Sequence, residues 1–158
     1  MITTKITIKN FLAEYAQIKF KVENETYVSF SNNDFLYILL YNLMDKRPED
    51  QPIDTGNLEI ALPHRSRGKD PSTYNYICAK GEKLIEKRLN KLFWAEMHDF
   101  VDERVHEYGE LISDSVFSFM KAYAITGITE DALIKNYYRW RSKTRRKIKK
   151  RRYRKAEE

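Results

Sequence analysis

Residues 80–106 read KGEKLIEKRLNKLFWAEMHDFVDERVH, the longest regularly periodic stretch in the chain. Ile85, Leu89, Leu92, Phe93, Met97, Phe100, Val101 and Val105 recur at spacings of three and four, with charges of both signs between them. That pattern predicts an amphipathic helix of about seven turns, long enough to be the spine of the C-terminal half. Its apolar side also offers a self-association face, so a homo-oligomer through helix 80–106 is one expectation. His98, Asp102 and His106 recur every four residues and share a face, as metal ligands would, with Glu103 and Glu107 nearby. They fall among Glu96, Asp99 and Arg104 on the side the hydrophobic period leaves to water. A solvated charged face without a metal is expected there.

C-terminal to the spine, Leu111, Ile112, Val116, Phe119, Met120 and Tyr123 describe another helix, and residues 124–128 turn the chain into a last one. Thr129 is placed to cap it, with Glu130 and Asp131 complementing the dipole of its first turn. Leu133, Tyr137 and Trp140 have the spacing of a face docked on a core. The composition then changes abruptly. Residues 139–155 hold twelve basic side chains and no acid, whereas residues 1–138 hold 17 basic and 21 acidic ones. The net charge of +6 is therefore a mildly acidic body with a cationic extension, an asymmetry that calls for a polyanionic partner. Past Arg141 only Ile148 and Tyr153 are large and apolar, so repulsion predicts a segment that frays alone and orders on a polyanion.

N-terminal to the spine the signals are mixed. Residues 3–8 alternate as a strand, and Asn10 stands where a helix through Phe11, Leu12, Tyr15 and Ile18 needs its cap. Residues 19–22 and 27–30 alternate about a polar turn and predict a β-hairpin. Residues 31–34 form a capping cluster before the almost wholly apolar run 35–44, read as a buried helix. A Pro- and Gly-bearing loop over 45–56 follows, then a strand over 57–62 that stops at Pro63. His64, Arg65, Arg67 and Lys69 sit in a polar loop, after which Ser72 or Thr73 opens a helical region. The fold class is α+β: a small antiparallel β element with helices at the N-terminus, a mainly helical C-terminal half, and a basic helical or disordered tail. A single body spans 1–138 (β-rich 1–63, helical 72–138), and residues 139–158 extend its last helix.

A hydrophobic content of 42% and an aromatic content of 13% argue against general disorder. No apolar run reaches about 18 residues and no signal-peptide pattern opens the chain, so the expectation is an intracellular protein without a membrane partner. That means cytoplasmic and nucleoid-associated, or nuclear in a eukaryote. Cys78 is the sole cysteine, which excludes an internal disulfide and a multi-cysteine zinc site. A lone cysteine at a helix start is expected simply to pack. No P-loop, dinucleotide fingerprint or nucleophile elbow occurs, and His64 has no acid nearby in sequence. Neither an enzyme nor a cofactor is expected.

Residues 116–141, VFSFMKAYAITGITEDALIKNYYRWR, put two helices around a Gly-containing turn and resemble a helix-turn-helix. Ala122, Gly127, Ile128, Thr129 and Leu133 stand at its small, turn, apolar, cap and core positions. The stretches PHRSRGKDPSTYNY, LFWAEMHDFVDE and ITEDALIKNYYRWR also resemble small proteins of prophages and other mobile elements. The resemblances imply a DNA-linked role, as a regulator or accessory factor. On that reading Lys135, Asn136 and Arg139 face solvent on the last helix, Asn136 suited to adenine and Arg139 to guanine. Arg141, Lys143, Arg145, Arg146, Lys147, Lys149, Lys150, Arg151 and Arg152 would neutralise phosphates. Arg65, Arg67 and Lys69 would form a second phosphate contact, with Gly68 allowing close approach, the plainer reading being a solvated connector. Tyr137 and Trp140 are expected to pack on the body, although a single-stranded ligand could recruit them for stacking. RNA is the alternative nucleic acid, and an assembly role on nucleic acid or an acidic partner is the alternative class.

Overall fold

The computed structural model describes residues 1–51 and 54–156, with side chains described as far as Ile148. Its elements are β1 (Thr3–Ile6), α1 (Asn10–Lys19), α2 (Phe35–Leu43), β2 (Leu58–Ala61), α3 (Ala79–Glu107), α4 (Ile112–Ala122) and α5 (Glu130–Ala156). This is an α+β fold with a helical C-terminal half. The chain divides into two compact units, Met1–Phe93 with Tyr123–Gly127, and Trp94–Ala122 with the chain from Ile128 onward. No helix among the described residues is long and apolar enough to cross a membrane.

In the first unit β1 and β2 pair antiparallel, with Thr3 opposite Ala61 and Ile6 opposite Leu58. Ile6, Leu58 and Ile60 point inward from the two strands and are buried. The hairpin expected over 19–30 contracts to a single antiparallel bridge between Lys21 and Val28. Val28 pairs on its other edge as well. Its N–H donates to Glu59 O (2.9 Å) and its carbonyl accepts from Ala61 N (2.9 Å), which makes it a third rung beside β2. The first strand also stops short of residue 8, because the next backbone donors are taken by side chains. Thr7 N donates to Glu82 Oε1 and Ile8 N to Asn57 Oδ1.

Asn10 is not the cap of α1; Lys9 occupies that position, and Asn10 Oδ1 accepts from Asn57 Nδ2 at 3.1 Å. For α2 the cap is Asp34, whose carboxylate accepts from Leu36 N at 2.9 Å. That helix buries Leu36, Tyr37 and Leu40 but leaves Phe35 and Ile38 exposed, so it is buried on one side only. No helix opens at Ser72; residues 70–73 form a turn on the Asp70 carboxylate, and α3 begins at Ala79. Cys78, expected to pack, is exposed just before it. Core contacts within this unit include Phe93 against Phe11 and Tyr15, with ring centroids 5.0 and 5.4 Å apart.

One hydrogen-bonded acid closes the unit. Glu14 of α1 accepts from Thr126 N (2.8 Å) and Gly127 N (3.0 Å), and it also takes the Thr126 hydroxyl. Burial alone would raise its pKa, yet these donors hold it below the usual glutamate value. Gly127, the turn glycine of the helix-turn-helix pattern, is required by proximity, since a Cβ there would lie 2.6 Å from Phe11 N. The turn itself gets its left-handed residue from Ala124, at φ 49°.

In the second unit, α3 from Trp94 onward, α4 and α5 surround a core of Met97, Val101, Val116, Phe119, Leu133 and Tyr137, all at 0% exposure. Arg104 and Glu110 form a bidentate pair (2.7 and 2.9 Å) across the link into α4. The pairing holds the Glu110 carboxyl below its usual range and lifts Arg104. The buried Ser115 hydroxyl donates to Leu111 O at 3.0 Å.

Candidate nucleic-acid interface

Thr129 caps α5, its hydroxyl accepting from Ala132 N at 3.3 Å. No Gly or Pro follows Gly127 in the sequence. Lys and Arg are good helix formers, and α5 is accordingly helical to Ala156 rather than broken where the cations begin.

At about 100° per residue, the side chains of α5 sort into four strips. Leu133, Tyr137, Trp140 and Thr144 follow one another at the i, i+4, i+7, i+11 spacing; the first two are buried and the others half-buried. Lys135, Arg139, Ser142 and Arg146 repeat that spacing on the opposite side and are all exposed. Arg141 and Arg145 occupy one flank, Lys143 and Lys147 the other. Thus α5 has a packed back, an open front and a cationic strip on either side. Lys149, Lys150, Arg151 and Arg152 belong to the same expected set, but their side chains lie outside the described residues.

The back of α5 is held by a network that takes His98 and Asp102 out of the solvated face expected on α3, while Asp99, Glu103, His106 and Glu107 remain exposed. His98 is 8% exposed, not wet. Its ring stacks on Trp140 (centroids 4.6 Å apart) and Trp94 (6.1 Å). Its Nε2 lies 2.7 Å from Asn136 Oδ1; the oxygen can only accept, so Nε2 carries the proton. Burial lowers the His98 pKa against the opposing pull of that hydrogen bond and of Asp99. Asp102 accepts from the Tyr137 hydroxyl at 2.8 Å and pairs with His106 at 3.3 Å. Burial first, and then Asp102, push the Tyr137 phenol up to about 12. No cluster able to hold a metal occurs among the described residues.

Two of the three expected base-reading residues are therefore engaged. Asn136 is half-buried on His98 rather than on the solvent side, and Lys135, though exposed, pairs with Asp131 at 2.6 Å. Arg139 is exposed and makes no side-chain hydrogen bond or ion pair with a described residue. Tyr137 and Trp140 pack, as expected.

The loop after β2 departs further from expectation. Lys69, expected at a phosphate, has its ammonium donating to Asn42 O (2.9 Å) and Met44 O (2.5 Å), and so caps the C-terminal end of α2. Gly68, at φ 106°, makes room for a side chain of the protein itself: a Cβ there would fall 2.0 Å from Tyr41 Oη. That oxygen accepts from Lys69 N at 2.9 Å. Arg65 lies over the Tyr41 and Tyr37 rings, 4.5 and 5.6 Å from their centroids, and Arg67 is exposed. These two remain open to an anion. An apolar cleft of about 350 Å³ beside His64 is lined by Met1, Ile2, Phe30, Tyr37, Leu62 and Pro63 among others.

Sequence reasoning missed Tyr138 and Ser142. Both line a groove of about 360 Å³ on α5 with Arg141, Arg145 and Arg146, and their i, i+4 spacing was the available signal. Neither a family model, nor a curated protein sequence, nor a solved structure matches this chain.

Proposed function

We propose that this protein binds duplex DNA by laying α5 in the major groove, its open front toward the bases and its two cationic flanks toward the phosphates of the two strands. The observation that carries this reading is the division of one helix into a packed back, an exposed front and cations on both sides. From Arg139 to Ala156 the helix is about 26 Å long, enough to cross a groove about 12 Å wide. Two facts favour duplex over single-stranded RNA. Tyr137 is buried, and Trp140 is stacked on His98, so neither is offered to an unpaired base. With Lys135 and Asn136 engaged, affinity comes mainly from the backbone, and Arg139 is left as the principal reader of a base edge. A regulator or accessory factor of a mobile element is the setting that the sequence resemblance suggests for such a helix.

The test is a salt titration of binding to duplex DNA, single strands and structured RNA. Truncation after Tyr138 would remove Trp140 from His98, so the comparison is a full-length variant with Arg145, Arg146, Lys147, Lys149, Lys150, Arg151 and Arg152 all changed to Gln, a good helix former. The wild type should prefer duplex, with log K falling against log salt at a slope near roughly −5, and the variant should lose most of that slope. Equal, purely salt-driven binding to every polyanion overturns the duplex reading.

A further inference from the structure

The cations of α5 account for attraction to a polyanion, but not for two uncharged side chains set among them. Tyr138, Arg141, Ser142, Arg145 and Arg146 line one groove of about 360 Å³. They are linked by i, i+3 and i, i+4 steps, which bring side chains on a helix within about 5–6 Å at Cβ. Tyr138 is 52% exposed, its ring centroid 6.3 Å from that of Tyr137 and its hydroxyl end open to solvent. Neighbouring polar groups on the back of α5 are satisfied internally. The Thr144 hydroxyl donates to Trp140 O (3.0 Å), Tyr137 donates to Asp102, and Asn136 accepts from His98. Those in the groove are not. The Tyr138 and Ser142 hydroxyls and the three guanidinium groups make no hydrogen bond or ion pair with any described residue. Unpaired hydroxyls beside guanidinium forks are the donor set that fits the oxygens of one phosphate group.

We infer that this groove is a phosphodiester cradle, with Arg141 and Arg145 gripping one phosphate of the duplex and the Ser142 and Tyr138 hydroxyls donating to its oxygens. The inference rests on the duplex-binding reading and sharpens it. The other cations of α5 attract the backbone without fixing it, whereas the cradle holds one phosphate and sets the register of the helix along the groove. Arg146, on the front, also lines the groove and ties the two together.

Removing the hydroxyls without touching charge separates the two ideas. Duplex affinity is measured across a salt series for wild type, Tyr138→Phe, Ser142→Ala and their double variant, with Arg141→Gln/Arg145→Gln as the charge control and circular dichroism as the check on folding. The double hydroxyl variant should bind roughly tenfold more weakly with an unchanged salt slope, while the arginine variant should lower the slope by about two. Inorganic phosphate at matched ionic strength should displace DNA from the wild type better than chloride does, and lose that advantage in the hydroxyl variant. Wild-type affinity in the hydroxyl variant, with no phosphate advantage, overturns the cradle and leaves the helix-in-groove reading standing. A wild type that fails to bind duplex at all overturns both.

Discussion

At the residue scale, His98 links packing to pH. Its neutral imidazole lies between two indoles and donates to Asn136, with Asp99 on its own helix and Asp102 one turn on. Burial is the largest influence and lowers its pKa from the usual 6.5. The unfolded chain therefore takes up a proton near pH 6.5 while the folded form still refuses it. Stability is unaffected above that range and falls as the pH drops from 6.5 toward the lower folded value. Thermal melts between pH 7 and 5 should show a falling Tm for the wild type and a flatter profile for His98→Phe. A wild-type Tm that rises on acidification would contradict the assignment. The carboxylates of Glu14 and Glu110, whose pKa values are lowered, act at more acidic pH and leave this window to histidine.

At the element scale, α5 sets helix propensity against charge. Arg139 with Lys143, Arg141 with Arg145, and Lys143 with Lys147 are like-charged i, i+4 pairs, each unfavourable by about 0.2–0.5 kcal/mol. Repulsion of this kind led the sequence reading to expect fraying. What it underweighted was the absence of any Gly or Pro after Gly127 and the firm seat given by Leu133, Tyr137 and Trp140. The contest is close, so screening should tip it. Helical ellipticity at 222 nm should rise between low salt and about 0.5 M salt, and stay level in the seven-glutamine variant of α5. A wild-type signal unmoved by salt would mean that repulsion in α5 is unimportant. The lost hairpin over residues 19–30 shows the opposite limit of local reading. The alternation there was real, but Val28 found its partners beside Ile60, and pairing at that distance in sequence leaves no local trace.

At the scale of the whole molecule, charge is the dominant fact. On the proposed function, a chain whose first 138 residues carry more acids than bases would be drawn to DNA through α5 rather than as a whole. On that reading one unengaged base reader would give little sequence choice, since a single bidentate pair discriminates by only about 1–3 kcal/mol. Affinities for unrelated duplexes of equal length should thus fall within roughly a factor of ten of each other at moderate salt. A thousandfold preference for one sequence would require readers other than Arg139. The sequence by itself determined the α+β class, the approximate limits of α1, α2 and α4, the span of α3, the start of α5, the places of β1 and β2 but not their pairing, and the separation of acidic body from basic extension. Periodicity, capping residues and composition act over a few residues at a time, and that is why they could be read. Which polar groups remain available was decided only by tertiary structure. Asn136 and His98 are 38 residues apart, Tyr137 and Asp102 are 35, and Lys69 reaches back 25 residues to Met44. A side chain that looks free to meet a ligand in sequence is free only if no distant part of the chain claims its hydrogen bonds first.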